Sequence, residues 1–79
     1  MTLRRFKNKV KKKSIEELLE TLVKLNEDYY LCMKFMSENP FLPYPEEDIR
    51  YITILERKMN YTNTLIHRHL AQQNRPNLA

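Results

Sequence analysis

The sequence predicts an all-α protein: a two-helix antiparallel hairpin with a basic N-terminal arm, completed as a helical bundle by self-association or by a partner. Three observations predict it. Apolar residues recur at steps of three and four in two long stretches, which is the period of a helix and not of a strand. A segment with three prolines separates those stretches. The chain has only 79 residues, and a chain of that size buries only about 60% of its unfolded surface, so its own core is thin.

Residues 1–13 form the arm. They hold seven bases (Arg4, Arg5, Lys7, Lys9, Lys11, Lys12 and Lys13) and no acid. Leu3, Phe6 and Val10 recur at i, i+3 and i+7. The arm is therefore expected to be flexible or to form a short basic amphipathic helix.

Ser14 opens the first long helix, expected over residues 14–38. Glu17 follows three residues later, so Ser14-Ile15-Glu16-Glu17 reads as a capping box in which hydroxyl and carboxylate each satisfy a free backbone N–H. Glu16, Glu17 and Glu20 suit the positive end of the helix dipole. Ile15, Leu18, Leu22, Leu25, Tyr29, Cys32 and Met36 then follow with alternating steps of three and four, a heptad seam. Asn39 precedes Pro40, and a residue before proline avoids the helical region, so the helix should stop there.

Residues 39–45 read Asn-Pro-Phe-Leu-Pro-Tyr-Pro. The prolines forbid helix. Phe41, Leu42 and Tyr44 are too apolar for a solvated linker and are expected to fold over the open end of the hairpin. The second helix is expected over residues 46–73, with Glu46, Glu47 and Asp48 in its first turn. Its stripe is Ile49, Ile52, Leu55, Met59, Thr62, Ile66 and Leu70. Residues 75–79 are expected to be a disordered tail.

Charge is segregated: residues 1–13 carry +7, residues 14–48 carry −7 and residues 49–79 carry +4. An acidic helix would thus lie beside a basic one, helping to set register.

Composition excludes several functions. The absence of Gly removes phosphate-cradling loops, nucleophile elbows and dinucleotide fingerprints. A single cysteine, Cys32, excludes an intramolecular disulfide and points to the cytoplasm. The longest apolar run, Tyr29 to Met33, is far short of the roughly 20 residues of a membrane span. The basic start is not followed by the apolar stretch of a secretory signal. His67 and His69 are two residues apart, about 200° around a helix, and cannot share a metal. Cys32 sits on the seam as a small apolar residue, and the acids at 46–48 are explained by a helix start. No catalytic residue, cofactor or metal is expected.

What remains is binding. A hairpin buries one seam, and Tyr30, Leu31, Phe35, Tyr51, Ile54, Tyr61 and Leu65 lie beside it. As a partly exposed apolar surface these residues are the expected protein-binding site, with a second copy or another protein as partner. The expected function is that of a small non-catalytic helical regulator or assembly factor. The alternative is a nucleic-acid accessory protein whose hairpin dimerises and whose arm, residues 4–13, holds phosphates without reading bases. A purely solubilising arm is the plainer reading.

Overall fold

The computed structural model describes residues 2–40 and 44–73. Among these residues the chain forms three helices and no strand: α1 (Leu3–Val10), α2 (Ile15–Glu38) and α3 (Glu46–Gln73). The all-α expectation holds, but the count of two helices is corrected. The arm is a helix in its own right, packed on α3. An eight-residue helix is unstable alone in water, so α1 owes its order to the face it buries. Phe6 and Val10 are buried and Leu3 packs against the same core. Thr2 caps α1 by accepting the Arg5 N–H at 3.3 Å.

α1 and α2 are separate helices. The chain turns at Lys11 and Lys12, and Ser14 then takes extended backbone and starts α2. Both halves of the capping box are present. The Ser14 hydroxyl accepts the Glu17 N–H at 3.3 Å, and the Glu17 carboxylate accepts the Ser14 N–H at 3.3 Å. The Ser14 N–H first, and then the Ser14 hydroxyl donating to the same carboxylate oxygen at 3.1 Å, hold the Glu17 carboxyl below the usual carboxylate value.

α2 packs lengthwise on α3. Leu18 and Leu25 meet Leu55, Leu65 and Ile66 in one core, with Phe6 and Val10 joining from α1. Ile15, Leu22, Tyr29, Cys32 and Met59 pack around it. Thr62 is fully buried, and its hydroxyl donates to the Lys58 carbonyl at 2.8 Å, so the polar atom is satisfied.

Three members of the second stripe fall outside the core: Ile49 and Leu70 are exposed, and Ile52 is half-buried away from it. Ile49, Ile52 and Leu55 are separated by two consecutive steps of three. Each such step turns the face by about 60°, which rotates Ile49 off the seam. Leu70 lies in the last turn of α3, a helix of 28 residues beside one of 24.

α2 lies beside α3, as expected, but without an ion pair between them among the described residues. Among the described residues the one ion pair is Arg50–Glu46 within α3. The polar link between α2 and α3 is the Tyr29 hydroxyl donating to Glu56 at 3.0 Å. That acceptor raises the Tyr29 pKa.

The C-terminus of α2 is capped without glycine. A helix end commonly uses a left-handed Gly to satisfy its last carbonyls. Here Asn39 keeps a negative φ, donating through its N–H and side-chain amide to the Phe35 carbonyl at 3.1 and 2.9 Å. The Tyr44 hydroxyl lies 3.2 Å from the Met36 carbonyl and 2.6 Å from that of Asn39. Tyr44 also meets Phe35 edge to face, with ring centres 6.4 Å apart. It folds over the end of α2 at the connection itself, and not over the open end of the hairpin that was expected. Phe41, Leu42 and residues 75–79 lie outside the described residues.

The molecule is a rod of 61 × 24 × 16 Å with a radius of gyration of 16.0 Å. A compact domain of this length would have about 12 Å. The elongated shape leaves much apolar surface uncovered.

Candidate interaction surfaces

Two surfaces stand out, and both depend on a second stripe of α3. Tyr51, Ile54, Lys58, Tyr61 and Leu65 follow one another at steps of three, four, three and four. They therefore share one face of α3, beside the core seam. α1 sits on one half of this face. The Lys58 ammonium lies 5.3 Å from the centre of the Phe6 ring, and that of Lys7 lies 5.1 Å from the centre of the Tyr61 ring. Leu65 is buried at 9% exposure. Leu65 is thus removed from the expected partner surface, and Tyr61 becomes a half-buried residue packed against the core. Phe6 and Val10 of the folded arm join the same core as Leu65, and Lys7 lies over Tyr61.

The other half of the stripe is open. Tyr51 and Ile52 of α3 face Leu31, Cys32, Phe35 and Met36 of α2 around a mainly apolar open pocket of about 270 Å³, which Tyr44 and Asp48 also line. Leu31, Phe35 and Tyr51 are each more than half exposed, while Ile54 is half-buried. Of the expected partner residues, the fold thus gathers Leu31, Phe35 and Tyr51. It does not bring Tyr30 to them. Tyr30 is 65% exposed and lies about 100° around α2 from Leu31. It shares a face with Leu19, Val23 and Met33, all exposed, at steps of four, seven and three. Sequence reasoning passed over Leu19 and Val23 in this role, although their spacing from Tyr30 was visible.

The second surface is basic. Two open depressions between α1 and α3 share Leu3, Lys7 and Tyr61. α1 with its C-cap adds Arg4, Asn8 and Lys11 to one, and α3 adds Arg57, Asn60 and Thr64 to the other. No acidic side chain lines either depression. The seven bases of the arm therefore divide. Arg4, Lys7 and Lys11 line the depressions, whereas Arg5 and Lys9 lie about 200° from Lys7 around α1. Lys12 lies in the turn after α1, and the Lys13 ammonium donates to the Thr21 hydroxyl at 2.9 Å. Arg57, Asn60 and Thr64 were not legible as part of this surface, because nothing in the sequence says which helix the arm meets.

No group of side chains suited to a metal ion occurs among the described residues, nor does any helix long and apolar enough to cross a membrane. Comparison with known proteins gives no match: no family model fits the chain, and neither a curated protein nor a solved structure resembles it.

Proposed function

We propose that this protein is a small non-catalytic binding module that works by docking helices on its exposed apolar faces, in the first instance those of a second copy. The half-covered stripe of α3 carries the reading. Phe6 and Val10 of α1 share the core with Leu65, Lys7 lies over Tyr61, and the same stripe continues into Tyr51, which stands exposed beside Leu31 and Phe35. A surface that already holds one short amphipathic helix has the geometry to hold a second one in line with it. Helix-in-groove recognition uses apolar anchors at this spacing. Aromatic residues and Met are the side chains enriched in such interfaces. The thin core of a 16.0 Å rod gains from added burial at roughly 25 cal/mol per Å².

Sedimentation equilibrium at tens of micromolar tests the proposal. A dimer or larger species is expected, weakened by Phe35→Ser or Tyr51→Ser. A monomer of 9.7 kDa at every concentration would refute self-association, leaving a different protein as the only partner the surface could take.

A further inference from the structure

The polar face of α1 and the neighbouring face of α3 form a second site that the protein-binding reading does not use. α1 is held by Phe6 and Val10, buried at 7% and 1% exposure. Its bases are thus presented from a docked helix and not from a loose tail. Arg4, Lys7 and Lys11 follow at steps of three and four, so their Cβ atoms are spaced by about 5–6 Å along one ridge. Lys7 shares one depression with Arg57, Asn60 and Thr64 of α3, while Arg4, Asn8 and Lys11 line the adjoining one, and the two meet at Leu3, Lys7 and Tyr61. Arg68, eleven residues after Arg57, falls within about 20° of it on α3 and extends the same line. None of these bases forms an ion pair among the described residues.

From this placement we infer that the α1–α3 groove binds the phosphodiester backbone of a nucleic acid without reading its sequence. Three features select that ligand among polyanions. An anionic lipid surface would take up a basic amphipathic helix through its apolar face, and that face is buried against the core. The centre of a protein interface is poor in Lys and rich in exposed apolar groups, whereas here Lys, Arg, Asn and Thr outnumber the two less polar lining residues, Leu3 and Tyr61. Nucleic-acid interfaces have that polar, strongly positive composition. Lys7 covers one face of the Tyr61 ring, which disfavours base stacking and leaves charge and hydrogen bonding to the backbone as the mode of contact.

The test is fluorescence anisotropy with the full chain and random-sequence duplex DNA, duplex RNA and single strands, titrated at several salt concentrations. Four neutralised phosphates give a slope of log K against log salt of about −4 on duplex DNA. Lys7→Gln and Arg57→Gln are each expected to weaken binding several-fold and to flatten the slope by about one. Lys9→Gln and Lys34→Gln remove the same charge elsewhere and are expected to do much less. Circular dichroism checks that each surface variant keeps its helices. Four results overturn the inference: no salt-dependent binding; Arg57→Gln no worse than Lys34→Gln; Lys9→Gln as damaging as Lys7→Gln; or equal binding of phosphatidylserine vesicles or poly-glutamate. The second and third would mean a diffuse charge effect of the arm, and the last would mean a general polyanion sink. Sedimentation of the same variants separates this site from the apolar one, since Arg57→Gln leaves Phe35 and Tyr51 in place.

Discussion

The ammonium of Lys7 lies 5.1 Å from the centre of the Tyr61 ring, and this contact ties the N-terminal helix to the last one. A cation over an aromatic face is worth about 0.5–1 kcal/mol at an exposed site. The larger hold on α1 is the burial of Phe6 and Val10 beside it. Removing residues 1–13 would therefore take away part of the core as well as seven charges, so single surface substitutions are the sound way to probe the arm.

Val10→Asp should release α1. Val10 is 1% exposed, and an unpaired carboxylate cannot be accommodated there without a penalty of several kcal/mol. Hydrogen exchange should show the amides of Phe6 to Val10 losing protection while the middle of α2 and α3 retains more of it. Unchanged protection in residues 6–10 would mean that the arm is not held by this contact.

Leu55→Ala should destabilise the fold by about 2–5 kcal/mol, since a buried Leu loses both transfer energy and packing. The same change at Leu22, which is only half-buried, should cost less. Urea unfolding followed by helicity measures both. Equal losses would place Leu22 deeper in the core than it lies here.

Ser14→Ala should cost about 0.5–2 kcal/mol, the usual range for loss of an N-cap. The Glu17 half of the box adds a pH dependence of known sign. Its folded pKa lies below the ordinary value of 4.5, so its contribution is fully present above that value. The contribution is lost as pH falls through the lowered pKa. Helicity followed from neutral to acid pH should therefore fall over a wider span in the parent chain than in Glu17→Gln. Identical acid titrations would remove the carboxylate from the cap.

Tyr44→Phe keeps the ring against Phe35 but removes the hydroxyl that reaches two carbonyls at the end of α2. A loss of about 0.5–1.5 kcal/mol is expected, with faster exchange confined to the last turn of α2. Uniformly faster exchange along α2 would mean that the hydroxyl supports more than the cap.

Local patterns settled much of this molecule in advance. The capping box at Ser14 and Glu17 and the seam through Leu18 and Leu25 are short-range arrangements, and the sequence carries them explicitly. Helix period, cap chemistry and proline geometry act over a few residues and need no knowledge of partners. Segregated charge was equally plain, and α2 does lie beside α3, but no ion pair joins them among the described residues, since long exposed side chains gain little from one another. Only the tertiary structure decided what became of the arm. Leu3, Phe6 and Val10 announced an amphipathic helix, but a helix of eight residues is stable only against a surface. That surface, the stripe from Lys58 to Leu65, lies some fifty residues away. Its apolar side chains looked free until α1 packed beside them. The same event set Lys7 beside Arg57, with Arg4 and Lys11 in the adjoining depression, because a groove between two helices exists only once they have packed.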